Sequence, residues 1–372
     1  MKAHLPAICF AGIVPVLLLG SVHRSAAQSI VVDAQPLRTI EGATHDRTPV
    51  FGVVVGATRL QDGTIVVGDA SGNDLKFFDA QGRLARAVGR QGQGPGEFQL
   101  LGWVKQCMQD SLFAFDVFPR RVSVFSASGR FARHFQTPGM PSQVACSRYG
   151  ALAVLSNPRG QPPEGVTRWR FTAPLSIADA RGTVTQDLGD VPAGEIAQVG
   201  QGWFPPPGGS HASIAVARRR VLVCPTDSGA VGVYSLTGAR LSSIPLRVPP
   251  RVPSRRDLER STDALLVYMP AGASRDTMRQ RLLRLPTPTQ LPPCSKILVD
   301  PYDNMWVVLS APWDSVTMLR VFGPDDRFLG DVSIPAALEV HEIGTDYLLG
   351  SGETLEGEPW IRMYRVRRSP AR

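Results

Sequence analysis

The sequence predicts an all-β fold built from repeated antiparallel units, and three observations support that prediction. The 36 glycines and 32 prolines are together about 18% of the 372 residues, against roughly 12% in an average protein. Glycine and proline reverse the chain at turns. The apolar stretches between them are short and alternate with polar residues, as in β-strands. A similar order of strands and turns recurs along the chain, which favours one repeat domain over several separate domains.

The repeat is clearest in residues 59–87 and 106–134, which align without gaps at a spacing of 47 residues. Each segment has an apolar strand, an aspartate (Asp69 or Asp116), a second strand, a Gly-Arg turn and a third strand. Four weaker copies follow, at residues 144–189, 215–246, 297–333 and 342–368. Six units of about four strands, each of roughly 40–50 residues, are typical of a β-propeller. We therefore predict a six-bladed β-propeller of four-stranded blades, with a multi-sheet sandwich as the alternative.

The last unit ends before its outermost strand. Residues 29–42, SIVVDAQPLRTIEG, resemble the strand that is missing there. We expect this N-terminal strand to complete the final blade, because ring closure removes an open sheet edge.

Residues 251–286 interrupt the repeat between the fourth and fifth units. Ser254 and Asp257 have the spacing of a helix N-terminus, and Ser274 offers a second N-cap. Three apolar residues then recur at helical spacing: Met278, Leu282 and Leu285. The sequence predicts a short helical insertion between blades four and five.

The first two units resemble the NHL-type repeats of six-bladed propellers. Those repeats have an aspartate after one strand and an arginine that opens the next strand. Asp69 and Asp116 match the aspartate and Arg121 matches the arginine, whereas Asp74 stands where the first blade should have arginine. The resemblance implies that Asp116 and Arg121 pair across strands and hold the blade together.

Two further motifs support this resemblance. Phe78-Asp79 matches the aromatic-Asp pair before the glycine turn, and residues 92–98, GQGPGEF, resemble the joint between such blades. The resemblance implies fold more than function, because propellers include enzymes, receptors and scaffolds.

Residues 1–27 have the pattern of a secretory signal peptide. Lys2 precedes an apolar stretch at about residues 5–20, which is shorter than the roughly 20 residues that span a bilayer. Ser25-Ala26-Ala27 then places small residues before Gln28. We predict a mature domain of residues 28–372, located in the periplasm or outside the cell and not inserted in the membrane. An uncleaved N-terminal anchor is the alternative.

Charge and cysteine usage narrow the range of functions. Removal of residues 1–27 lowers the net charge from +8 to +6, and the arginines are spread along the chain, so a nucleic-acid partner is not expected. The four remaining cysteines, Cys107, Cys146, Cys224 and Cys294, match no metal motif. Their spacing favours buried free thiols, with one disulfide between Cys107 and Cys146 left open.

The sequence offers little for catalysis. A zinc site needs several histidine or cysteine ligands, and four histidines follow residue 27: His45, His134, His211 and His341. His134 is on an outer strand, His45 and His341 are isolated in polar surroundings with surface or hydrogen-bonded roles expected, and His211 lies in a long connection where a ligand could reach it. Three aspartates, Asp69, Asp116 and Asp300, could contribute to a calcium site, and a G-x-S-x-G motif is absent from the sequence. No cofactor is predicted, although calcium or zinc in the central channel is left open.

Surface recognition is the favoured function. In a propeller, the loops between second and third strands and the connections between blades open on one face. The candidate ligand-binding residues on that face are Arg120, Arg121, Trp203, His211, Trp313 and Asp314. The alternative for the tryptophans is packing against neighbouring loops. We predict a monomeric, non-catalytic binding or scaffolding module for a protein, peptide or glycan. The alternative is a metal-dependent lyase or hydrolase with its site in the channel.

Overall fold

The computed structural model describes residues 30–43, 50–108, 111–225, 229–266, 269, 272–309, 316–335, 338–354 and 356–369. Within these residues six antiparallel sheets form the blades of a ring, as predicted. The predicted signal peptide lies outside the described residues.

The first three blades follow one another in the chain. Blade 1 contains β2 (Val54–Arg59), β3 (Ile65–Asp69), β4 (Asp74–Phe78) and β5 (Leu84–Val88). Blade 2 contains β6 (Leu101–Gln106), β7 (Ser111–Asp116), β8 (Arg121–Ser126) and β9 (Phe131–Gln136). Blade 3 contains β10 (Pro141–Cys146), β11 (Leu152–Ser156), β12 (Arg168–Ala178), β13 (Val184–Val199) and β14 (Gly202–Phe204).

The remaining blades complete the ring. Blade 4 contains β15 (Ala212–Val216), β16 (Arg220–Pro225), β17 (Ala230–Ser235) and β18 (Arg240–Pro245). Blade 5 contains β19 (Cys294–Val299), β20 (Met305–Leu309), β21 (Thr317–Phe322) and β22 (Phe328–Ile334). Blade 6 contains β23 (Glu339–Ile343), β24 (Tyr347–Glu353), β25 (Pro359–Arg368) and the N-terminal β1 (Ile30–Glu41).

The N-terminal strand closes the ring, which confirms the prediction for residues 29–42. β1 pairs antiparallel with β25, from Ile30 opposite Arg368 to Glu41 opposite Trp360. The closing blade therefore has strands from both ends of the domain, and β25 presents no open edge.

Apolar side chains pack between neighbouring blades. Between blades 1 and 2, for example, Leu75 and Phe77 are buried in one cluster with Leu112 and Phe125. One such cluster lies at each junction around the ring. Strand alternation explains this arrangement, because successive side chains point to the two neighbouring blades.

The helical insertion is present between β18 and β19, that is between blades four and five as numbered here. If the numbering starts instead from the closing blade, which contains β1, the same two blades become the fifth and the sixth. α1 (Arg255–Leu265) begins at Ser254, which forms the predicted reciprocal cap with Asp257. α2 (Ala273–Leu283) is capped by Gly272 and not by Ser274. The prediction for Ser274 was wrong because its backbone is already helical, whereas Gly272 has a φ of 131° that favours glycine. Among the described residues no helix is long and apolar enough to cross a bilayer.

Blade 3 differs from the predicted four-stranded unit. β13 is 16 residues long, and it continues with β12 as a hairpin beyond the residues at which β11 pairs with β12. β14 adds a fifth strand to the sheet. Val199 of this extension packs with Leu266 and Leu282 of the insertion. The extended hairpin thus supports the helices above the ring.

The Asp–Arg pair of blade 2 is confirmed. Asp116 Oδ2 lies 3.4 Å from an Arg121 guanidinium nitrogen. Arg121 also donates to the backbone carbonyls of Gln93 at 2.9 Å and Glu97 at 2.6 Å, so it holds the joint at residues 92–98.

Blade 1 uses a different cation for the same purpose. Asp74 lies opposite Asp69 in the ladder, where blade 2 has Arg121. Lys76, two residues further along β4, places Nζ 3.0 Å from Asp69 and 2.5 Å from Asp74. Residues two apart share a face of a strand, so Lys76 restores the pair that Asp74 interrupts.

The expectation of free thiols was wrong. Cys107 pairs with Cys146 and Cys224 pairs with Cys294. The first disulfide joins blades 2 and 3 and the second joins blades 4 and 5. Sequence spacing could not show this, because the partners become neighbours only when adjacent blades pack.

Candidate functional site

A cavity of about 760 Å³ opens on the face that carries the connections between blades. The extended hairpin of blade 3 forms one side, with Arg168, Arg170 and Glu195. The two ends of the insertion, residues 248–251 and 287–293, form the other side. The cavity therefore lies between a blade and the segment that interrupts the repeat.

Backbone contacts set the shape of this cavity. The N–H of Leu291 donates to the carbonyl of Arg251 at 2.7 Å, which joins the two ends of the insertion. The N–H of Gly208, in the connection that forms the floor, donates to Ser261 Oγ of α1 at 2.9 Å. The apolar cluster of Val199 with the helices fixes the opposite side.

The lining is positively charged. It contains three arginines and a single carboxylate among the described residues, Glu195, which is 3% exposed. Glu195 contacts Arg168 directly and lies 3.6 Å from Arg170 Nε. Burial lowers the pKa of Arg168, and the charge of Arg170 adds to that effect. Arg251 is held from behind by two hydrogen bonds to Asp257, at 2.8 and 3.2 Å.

Proline forms much of the remaining wall. Five prolines line the cavity: Pro249, Pro250, Pro288, Pro292 and Pro293. Proline has no N–H group and a fixed φ. The wall therefore offers carbonyl acceptors and apolar rings in a stiff frame.

The predicted site residues lie in several places. His211 lines a smaller cavity of about 160 Å³ that shares Arg170 and Ser210 with the larger one. His211 Nε2 lies 3.1 Å from the carbonyl of Ser295, on the innermost strand of blade 5. Trp203 is half-buried in β14. The structure thus places His211 in a small cavity beside the arginine-lined one.

The other predicted residues are separate from it. Arg120 is exposed in the turn between β7 and β8, and Arg121 is engaged with the blade joint. The geometry gives Arg121 a structural role. Trp313 and Asp314 lie outside the described residues.

Sequence reasoning missed Arg168, Arg170, Glu195 and Arg251. The third predicted unit ends at residue 189, so the repeat pattern does not show the strand pairing that places Arg170 opposite Glu195. The available signal was the alternation of Arg168 and Arg170 on one strand, followed by Glu195 on a second strand long enough to reach them.

The axial channel contains a second group of charges. The innermost strands of the six blades surround the axis, and they carry Lys105, Lys296, Glu339, His341 and Glu342. Five of these six strands have a bulge, with Gly102, Ser142 and Ser295 at the extra position in blades 2, 3 and 5. Blade 6 has His341 there. A bulge re-aims the side chain of the extra residue. Among these five bulges only the one in blade 6 has an ionisable residue, His341, at that position.

The channel charges are mostly paired. Lys296 Nζ lies 3.1 Å from Glu339 Oε1. Glu342 accepts from the hydroxyls of Thr58 and Tyr347. Burial raises the pKa of Tyr347, and the charge of Glu342 and the hydrogen bond to it add to that effect.

The pKa values of Glu339 and His341 both lie well below the usual values for these side chains. Burial alone would raise the pKa of Glu339, but the charges of Lys296 and His341 outweigh it and bring the pKa down to about 2. Burial lowers the pKa of His341 to about 4. The negative charge of Glu339 opposes this shift, and the positive charge of Lys296 adds to it. His341 Nε2 lies 2.7 Å from Ser351 Oγ. His341 is thus hydrogen-bonded, one of the two roles expected for it, and it lies within a charged channel.

The aspartates offered for calcium also have protein partners. Asp69 binds Lys76, Asp116 binds Arg121, and Asp300 binds Arg368 at 3.1 Å. Among the described residues no three His, Cys, Asp or Glu side chains are grouped to hold a metal ion.

His341→Gln should reduce the loss of stability in acid. The pKa of His341 is about 4 in the folded protein and about 6.5 in an unfolded chain. Between these values the unfolded chain binds a proton that the folded protein excludes, so folding stability falls as the pH falls from about 6.5 to about 4. Glutamine binds no such proton. The thermal unfolding midpoint, measured from about pH 7 to about pH 4, should therefore fall less in the variant.

His134→Gln is the matched control, because His134 is exposed on the outermost strand of blade 2. An equal gain in acid resistance in both variants would contradict the assignment to His341.

Comparison with known proteins agrees with the architecture. Residues 40–149 match a family model described as a 6-bladed beta-propeller. The solved structure of a Bacteroides fragilis protein described as exported is similar over 92% of this chain and 96% of that chain, with 14% identity and a TM-score of 0.50. The chain is a six-bladed β-propeller. At this level of identity the similarity shows the fold alone, and the NHL-type character of the repeats stays a prediction.

Two enzymes are among the other similar structures. Virginiamycin B lyase from Staphylococcus aureus is 9% identical, with coverage of 92% of this chain and 96% of that chain and a TM-score of 0.45. A gluconolactonase from Xanthomonas campestris is 13% identical, with coverage of 92% and 98% and a TM-score of 0.45. No curated protein matches the sequence.

Proposed function

We propose that this propeller is an exported binding module that holds an acidic polypeptide segment in the cavity between blade 3 and the insertion. The observation that carries the proposal is the combination of three arginines, one neutralised carboxylate and a proline wall around about 760 Å³. This volume lies in the range of roughly 300–1,000 Å³ that is typical of ligand sites.

The chemistry of the lining favours a peptide with carboxylates. Arginine binds carboxylates through two parallel hydrogen bonds, and Arg170 is 64% exposed beside the cavity. The proline wall supplies carbonyl acceptors, which an extended peptide can meet with its own N–H groups. Apolar side chains of the peptide would pack on the proline rings and on Leu291.

Export is supported by two independent features. Residues 1–27 have the order of a charged, an apolar and a small-residue region that is typical of secretory signals. The four cysteines that follow form two disulfides, which persist in oxidising compartments.

The test selects ligands from a displayed library of random peptides on the immobilised protein. Peptides rich in Asp and Glu should be enriched, and Arg170→Met should weaken their binding by about tenfold or more, as expected for loss of a charged hydrogen bond. Affinity should also fall as salt rises, because the contact is between charges.

Arg219→Met is the matched control, since Arg219 is exposed in the turn between β15 and β16 on the opposite face. Enrichment of neutral peptides, or equal weakening by both substitutions, would refute the proposed site.

A further inference from the structure

Lys105 is an unusual lysine in this protein. It is half-buried on β6, an innermost strand, and no described residue forms a hydrogen bond or ion pair with its ammonium group. The other two lysines of the described chain are paired, Lys76 with Asp69 and Lys296 with Glu339. An ammonium group without a partner is costly to bury.

The charges around Lys105 do not supply that partner. Glu342 is near enough to act on it, but Glu342 accepts from the hydroxyls of Thr58 and Tyr347 and from the N–H of Arg59. Lys296 is also near and repels it. Glu339 is engaged by Lys296 at 3.1 Å. Lys105 therefore faces the channel with its charge uncompensated by a direct contact.

Burial lowers the pKa of Lys105, with the attraction of Glu342 opposing the shift and the repulsion of Lys296 adding to it. This lowered pKa agrees with the geometry, because a lysine without a contacting carboxylate loses its proton more readily. A bound anion would reverse the shift.

His341 adds a hydrogen-bonding group to the same channel. Its Nε2 is occupied by Ser351 Oγ at 2.7 Å, and within the described residues Nδ1 has no partner. With a pKa of about 4 the ring is neutral near pH 7, so it can take part in a hydrogen bond without adding charge.

We propose that the axial channel binds a small monocarboxylate, with the Lys105 ammonium as its main contact. The Lys105 ammonium has no contacting carboxylate among the described residues, and a monocarboxylate would supply one. A dianion such as phosphate would also meet the carboxylates of Glu339 and Glu342 on β23. This site is separate from the peptide cavity, which is lined by blade 3 and the insertion.

The lysine content allows a direct test by NMR on protein labelled with ¹³C at the lysine Cε. Only Lys76, Lys105 and Lys296 follow residue 27, so the spectrum has few signals. Acetate is added against chloride at constant ionic strength. The Lys105 signal should shift to saturation and its pKa should rise, while the signal of Lys76, buried in blade 1, stays in place.

Lys105→Met assigns the signal. Lys296 is near enough to Lys105 to sense an anion bound there, and in the variant acetate should act on the Lys296 signal with an affinity that is lower by about tenfold or more. Equal behaviour of Lys105 in acetate and chloride would overturn the proposal, and so would a parallel shift of all three lysines. A stronger response to phosphate than to acetate would overturn the choice of a monocarboxylate. The titration of the unsubstituted protein decides the question even if the variant fails to fold.

Discussion

Asp300→Ala should lower the free energy of unfolding by about 3–5 kcal/mol, because it breaks a buried ion pair and leaves several buried donors without an acceptor. The Asp300 side chain is 0% exposed and lies 3.1 Å from the guanidinium of Arg368. It also accepts from Trp306 Nε1 at 2.9 Å and from Asn304 Nδ2 at 2.9 Å. Arg368, Trp306 and Asn304 would all lose this acceptor at once.

The position of this pair in the ring increases its importance. Asp300 lies in the turn after β19 of blade 5. Arg368 is at the end of β25, the strand of blade 6 that pairs with β1. Arg368 also donates to the carbonyl of Gly344 at 3.1 Å, in the turn after β23. The pair therefore fastens the closing blade to its neighbour.

Asp33→Ala is the matched control for this prediction. Asp33 lies 2.7 Å from Arg367, the residue next to Arg368, but the Arg367 side chain is 67% exposed. Exposed pairs contribute about 0–1 kcal/mol. Chemical denaturation of both variants measures the difference, and equal losses would contradict the role assigned to Asp300.

Removal of the disulfide between blades 4 and 5 should have a similar effect. Replacing Cys224 and Cys294 by alanine opens a link across 70 residues, and the chain-entropy relation gives a loss of about 4 kcal/mol. The corresponding loss for Cys107 and Cys146, 39 residues apart, is about 0.5 kcal/mol smaller. Denaturation under non-reducing conditions compares the two double variants.

The two disulfides should differ more in their effect on the cavity. The 70-residue segment between Cys224 and Cys294 contains both helices and both ends of the insertion that line the cavity. Loss of this link should weaken binding of acidic peptides, whereas loss of Cys107–Cys146 should leave it unchanged. Equal peptide affinities in the two double variants would show that the link does not support the cavity.

Sequence patterns were most informative where the relevant contacts are local or repeated. The pairing of Asp116 with Arg121 and the joint at residues 92–98 were visible because the same motif occurs in a known type of repeat. The cap of α1 was visible because Ser254 and Asp257 are three residues apart. Ser274 had the right residue type two residues too late, and only the backbone conformation of Gly272 shows where α2 begins.

Sequence patterns were least informative where a contact departs from the repeat or joins different blades. Lys76 replaces the arginine missing at Asp74, but the substitution is offset by two residues. Glu339 and His341 lie before residue 342, where the last predicted repeat begins, so the repeat pattern does not place them on a strand. Lys296, the partner of Glu339, is 43 residues from it in the chain.

Six blades, closure by residues 29–42 and the position of the insertion could be predicted from the chain alone, because strand alternation, turns and helix caps depend on near neighbours in sequence. The arginine-lined cavity, the channel charges and both disulfides depended on tertiary structure. Each of them joins residues that local patterns do not connect, and these residues meet only because every blade buries its apolar side chains against the next.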